Sequence, residues 1–127
     1  MSQLNFSGKL DYKGKSVTVN LSMYLFKEGK SFILYCPALD LSAYGDSEVQ
    51  AKKSFEDVFE MTIKYMITKN TMKEDLLNHG WQMKSLKQRQ IKAPSFETML
   101  KNESFRDILE RKEYTTYRQS VNIPQFA

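Results

Sequence analysis

Val17-Thr18-Val19-Asn20-Leu21-Ser22-Met23-Tyr24-Leu25-Phe26, then Lys27-Glu28-Gly29-Lys30, then Ser31-Phe32-Ile33-Leu34-Tyr35-Cys36-Pro37 is the stretch that decides the fold. In its first run Val17, Val19, Leu21, Met23 and Leu25 fall on alternate positions, the period of a strand with one buried face. Gly29 supplies the positive φ that a tight hairpin needs. The run from Ser31 to Cys36 is almost continuously apolar and reads as a second, more buried strand. Pro37 ends it, because proline has no N–H to give to a ladder.

Working towards the N-terminus, Leu4, Phe6, Leu10 and Tyr12 alternate around Gly8, and Asp11 to Lys15 forms a polar turn. A strand over 4–12 follows, giving a three-stranded antiparallel meander made of 4–12, 17–26 and 31–36. Working towards the C-terminus, Ala38 to Asp46 reads as a loop, after which the period changes. Ser47 is placed as an N-cap with Gln50 three residues on, and Phe55, Val58, Phe59, Thr62 and Met66 recur at helical spacing, so a long helix is predicted to about Lys69. Thr71-Met72-Lys73-Glu74 resembles a second capping box, opening a short helix that Gly80 closes. Trp81 and Met83 alternate with polar residues and suggest a fourth strand over 81–86.

Residues 87–127 read as an extension: a linker over 88–94, two short helical stretches capped by Ser95 and by Asn102 or Ser104, and a final strand over 114–123. The predicted class is therefore α+β, a β-β-β-α-β core over 1–86 followed by a basic linker and a C-terminal extension over 87–127.

Tyr35-Cys36-Pro37-Ala38-Leu39, then Gly45-Asp46-Ser47, then Ala51 in the first helical turn resembles the signature of HicB-like antitoxins. Their pattern is a strand ending in tyrosine, proline and leucine, a loop closed by Gly-Asp-Ser/Thr, and a helix opening on an acidic residue followed by alanine. Gln50 stands here where that acidic residue usually lies. The resemblance spans roughly residues 4–85. It implies a partial ribonuclease H-like fold, no enzymatic activity, no cofactor, and a small HicA-like ribonuclease toxin as partner. Such a toxin is basic, which makes Asp46, Glu48, Glu56 and Asp57 candidate contacts. Family members often add a helix-turn-helix or ribbon-helix-helix domain, and residues 87–127 show the pattern of neither.

The residues of the signature also have a reading independent of any family. Pro37 stops pairing, Gly45 supplies a backbone geometry costly for other residues, Asp46 and Ser47 satisfy free helix N–H groups, and Ala51 lets the helix approach the sheet.

Composition fits one ordered domain: 127 residues, 41% hydrophobic and 13% aromatic, enough to bury a core without disulfides or metals. The sequence has no run of 18 apolar residues and no signal-like start, so a cytoplasmic location is expected. Its one cysteine, Cys36, lies in an apolar strand and reads as a reduced, buried thiol.

Charge divides the chain. Residues 1–80 carry ten lysines against ten acids, and residues 81–127 carry nine basic residues against five acids. Lys84, Lys87, Arg89 and Lys92 fall within nine residues with no acid among them; such a stretch attracts phosphate whatever the base sequence, or simply keeps a linker solvated.

Chemistry finds few candidates. Asp11, Asp40 and Asp46 lie in turns or at a helix cap rather than in a converging set, and His79 is the only histidine. Phosphate loops and paired-cysteine metal motifs are absent from the sequence. Two functional classes follow: a toxin-binding antitoxin, and a homo-oligomeric module using the terminal strand as a pairing edge. A nucleic-acid binder working through the basic stretch is a third.

Overall fold

Thirteen residues from Ser16 to Glu28 form one long strand, β2, turned at Gly29 with φ +62° into β3, Ser31–Cys36. These are the elements that the alternation predicts. A computed structural model of the chain describes residues 4–5, 16–85 and 90–124. The remaining elements in chain order are β1 (Leu4–Asn5), β4 (Leu41–Gly45), α1 (Glu48–Lys69), α2 (Met72–Asn78), β5 (Gln82–Ser85), β6 (Gln90–Lys92), α3 (Phe96–Met99), α4 (Glu103–Arg111) and β7 (Tyr114–Pro124).

The class is α+β, but the sheet is assembled differently from the expected one. Its order is β1-β7-β2-β3-β4, with β7, β2, β3 and β4 antiparallel and only the β1–β7 pair parallel. The meander is thus β2-β3-β4, and its third member lies inside 38–46, which the sequence presents as a loop. Of the predicted strand 4–12 only Leu4–Asn5 falls within the described residues, paired with Gln119 and Ser120 of β7. Ser, Ala and Gly are weak strand formers, so β4 carries little local signal; its pairing with β3 at all five positions, Phe32 with Gly45 through Cys36 with Leu41, makes it a strand.

The terminal strand is likewise not a free edge. β7 runs antiparallel to β2 over its whole length, from Tyr114 opposite Phe26 to Pro124 opposite Ser16, and β1 takes part of its other flank. The sheet is therefore shared between the 1–86 stretch and the C-terminal extension. Strand β5, expected in the main sheet, pairs instead with β6 in a separate two-stranded ribbon. The linker expected over 88–94 thus contains a strand, and its Ile91 packs on the core.

Two apolar layers flank the sheet. On one face Leu21, Met23, Leu25, Leu34, Cys36 and Ala43 meet Ala51, Phe55, Phe59, Ile63 and Met66 of α1. On the other, Tyr24, Phe26 and Tyr35 meet Phe105 and Ile108 of α4. The Tyr24 and Phe105 rings stand edge to face, centroids 5.0 Å apart, an arrangement favoured by the ring quadrupoles. From Met23 to Phe26 both faces of β2 are therefore buried, whereas Thr18 and Asn20 remain exposed.

Helix ends follow their chemistry with two departures. Ser47 Oγ accepts from Gln50 N at 3.1 Å, and Gln50 Oε1 accepts from Asp46 N at 2.9 Å, so the return bond reaches one residue before the cap. Thr71 makes no side-chain cap bond to α2; its hydroxyl donates to Asp75 Oδ2 at 2.8 Å, and the second capping box does not form. Asn102 rather than Ser104 caps α4, accepting from Ser104 N at 2.8 Å. Gly80 closes α2 with φ +91°. Among the described residues no helix is long and apolar enough to cross a membrane.

Candidate protein-binding surface

The residues of the signature lie in one continuous unit, β3, a turn, β4 and the first turn of α1. In the turn Leu39 N and Asp40 N donate to Cys36 O and Pro37 O, each at 3.3 Å. Ala38 and Leu39 are both buried, and Trp81 Nε1 donates to Ala38 O at 2.8 Å, tying the turn to the far end of α2. Asp40 takes a left-handed φ of 51°, which aspartate tolerates better than most residues. Its Oδ1 accepts from Tyr35 Oη at 2.7 Å and from Asn102 Nδ2 at 3.1 Å. One carboxylate thus joins the strand, the turn and the cap of α4. Burial, and then the hydrogen bond and charge of Asp40, push the Tyr35 hydroxyl well above the ordinary tyrosine range.

Gly45 is required for a different reason from that suggested by the sequence. A Cβ there would lie 2.6 Å from Ala51 N and 2.6 Å from Gln50 Cβ, so close approach to the helix start demands glycine. Ala51 is fully buried beneath it.

The acids picked as contacts form no single patch. Asp46, Glu48 and Asp57 are exposed and Glu56 is half-buried. Glu48 and Asp57 are nine residues apart, half a turn round the helix at about 100° per residue. Glu56 instead clusters with Asp57 and with Glu60, a residue the sequence reading passed over although the i,i+4 spacing from Glu56 signals it. Partial burial, and then the charges of Asp57 and Glu60, raise the Glu56 carboxyl above its usual value.

Between the β2–β3 hairpin and α4 lies an open groove of about 660 Å³ whose walls include Tyr35, Asp40, Glu28, Glu103, Asp107 and Arg111. Arg111 Nε pairs with Asp107 Oδ1 at 3.1 Å. Glu28 and Glu103 are 75 positions apart in the sequence, and no local pattern brings them together.

The remaining candidates are dispersed. Asp40 and Asp46 stand at opposite ends of β4, and Asp11 lies outside the described residues; among those described, no three His, Cys, Asp or Glu side chains are placed to hold a metal ion. His79 Nδ1 donates to Asp75 O at 2.7 Å, a bond to the carbonyl end of α2. Cys36 is buried, which pushes its thiol up to about 12. In the basic stretch, Lys84 is the residue bulged out of the β5–β6 register, Lys92 is exposed, and Lys87 and Arg89 lie outside the described residues.

No family model, no curated protein and no solved structure matches the chain.

Proposed function

We propose that this chain is a non-enzymatic, cytoplasmic protein-binding module, a HicB-like antitoxin or a relative of one, whose partner is a small basic ribonuclease toxin of the HicA type. The observation that carries this reading is the signature unit. Tyr35, Pro37, Leu39, Gly45, Asp46, Ser47 and Ala51 follow one another through a strand, turn, strand and helix start in the order the family pattern requires. From that unit α1 leads out the acidic group Glu56, Asp57 and Glu60. Complementary charge of this kind steers the encounter with a basic partner and fixes register. On this reading the β2-β3-β4-α1 portion corresponds to the partial ribonuclease H-like core, and β7 supplies a fourth strand.

The test is co-expression with a small basic ribonuclease toxin of the HicA type. Rescue of growth and co-purification are expected, and reversal of Glu56, Asp57 and Glu60 to lysine should weaken capture about tenfold or more. Failure to rescue, or capture indifferent to the reversal, overturns the reading. Incubation of the purified chain with RNA and magnesium should leave the RNA intact. Tight, sequence-selective duplex binding lost with Lys84 and Lys92 would favour the nucleic-acid alternative instead.

A further inference from the structure

We infer that the groove between the β2–β3 hairpin and α4 is a protein-binding site that takes an arginine-bearing extended segment of a partner protein. The inference does not rest on the antitoxin reading.

The sheet register lays out the floor, because cross-strand partners share a face. Phe26 stands opposite Ile33, and Ile33 opposite Tyr44. These three form one row across the face that carries α4, beside the row of Tyr24, Tyr35 and Ser42. α4 covers only part of that face: Phe105 packs on Tyr24 and Tyr35, whereas Ile33 is half-buried and Tyr44 is 73% exposed. An apolar strip therefore runs from beside α4 out to β4.

The walls carry an excess of one charge. Along α4, Glu103, Asp107 and Arg111 recur at four-residue spacing and so share a flank. All three border the groove, as Glu28 does from the hairpin. Arg111 is matched by Asp107, and the Asp40 carboxylate already accepts from Tyr35 and Asn102. The carboxylates of Glu28 and Glu103 have no cation or hydrogen-bond donor among the described residues. With Lys112 counted, the lining holds four acids and two bases, in a chain whose net charge is +4.

That combination selects the occupant. A guanidinium offers a planar fork of donors to carboxylates and a face that stacks on aromatic rings, while its alkyl stem covers apolar surface. Two unmatched carboxylates beside the strip of Ile33 and Tyr44 fit all three properties. The same carboxylates repel the phosphates of a nucleic acid. The groove measures about 660 Å³ but is open to solvent, whereas sites for small molecules enclose most of the ligand. An extended segment of protein needs no such enclosure.

The probe is a fluorescent, end-blocked peptide of sequence alanine-arginine-leucine-arginine-alanine, titrated with the full chain and followed by anisotropy. Saturable binding is expected, and none for the peptide with glutamate in place of both arginines. Glu28 and Glu103 are exposed, so the variant carrying Glu28→Gln and Glu103→Gln should keep its circular dichroism and bind about tenfold more weakly or worse. The variant carrying Glu110→Gln and Glu113→Gln removes the same charge from exposed positions outside the groove and should bind as the parent does. Absence of saturable binding overturns the proposal, as does a groove variant that binds like the parent. Equal loss in the two variants would trace the attraction to overall charge and overturn the site. Arginine amide binding as tightly as the peptide would make the groove a small-molecule pocket and overturn the assigned occupant.

Discussion

Two glycines show how differently one residue type can be required. Gly29 has φ +62° and open space around the position of a Cβ, whereas Gly45 lacks that φ and has backbone of α1 at 2.6 Å. Gly29→Ala therefore meets only left-handed strain, about 1 kcal/mol, and Gly29→Asn should recover part of it because asparagine tolerates that region. Gly45→Ala must displace a helix start, and a loss of about 2 kcal/mol is expected. Urea unfolding of the three variants would show the ranking, and an unchanged midpoint for Gly45→Ala would mean that the helix shifts freely. Gln119 is the converse case. It is fully buried in β7, its Nε2 donating to Ser120 O at 2.7 Å and its Oε1 without a hydrogen-bond partner among the described residues. Leaving a buried acceptor unsatisfied is costly, so Gln119→Met should raise stability by about 1 kcal/mol; a fall would reveal a partner for that oxygen.

Among the elements, α4 shows what the sequence makes legible and what it does not. The inward positions of β2, Val19 to Leu25, announce the main core. The outward positions change from Thr18, Asn20 and Ser22 to Tyr24 and Phe26, and this switch signals that something covers half of the second face. It does not say what, because the cover, Phe105 and Ile108, lies some 80 residues away. Phe105→Ala should cost about 3 kcal/mol, the usual loss for an emptied aromatic site, and should speed proteolysis between residues 95 and 112. The hairpin β2–β3, α1 with its Ser47 cap, and both C-terminal helices are readable because their signals are local. Strand β4 was hidden by weak formers, and the place of β7 by the non-local nature of strand pairing. Within the site, the signature turn was legible as a unit, whereas its bonds to Asn102 and Trp81 were not. Truncation after Lys92 removes β7 and so strips β2 of a partner along its whole length; the product should be insoluble, and a soluble truncation of native helicity would show that the hairpin and α1 stand alone.

At the scale of the whole molecule, the two-layered cover of the sheet makes stability fall in alkali. Tyr35 and Cys36 are neighbours on β3 and therefore point to opposite faces, one into the α4 layer and the other into the α1 layer. Burial raises both, the Cys36 thiol from 9.0 to about 12 and the Tyr35 hydroxyl above its ordinary 10.0. Burial first, and then Tyr114, raises Tyr24 as well. In each case the folded chain holds its proton more tightly than the unfolded chain, so above the unfolded pKa the native state binds the greater number and stability decreases with pH. The contribution is complete below pH 9, declines from there as Cys36 ionises in the unfolded chain, and declines more steeply above pH 10 as the tyrosines join it. Urea midpoints should accordingly hold steady from neutrality to about pH 9 and then fall. Cys36→Ala, although less stable overall through the cavity it leaves, should shift the onset up towards the tyrosine value and reduce the early slope. A midpoint constant to pH 10.5, or an onset that Cys36→Ala does not move, would show that these groups are open to water and that the two layers do not seal the sheet.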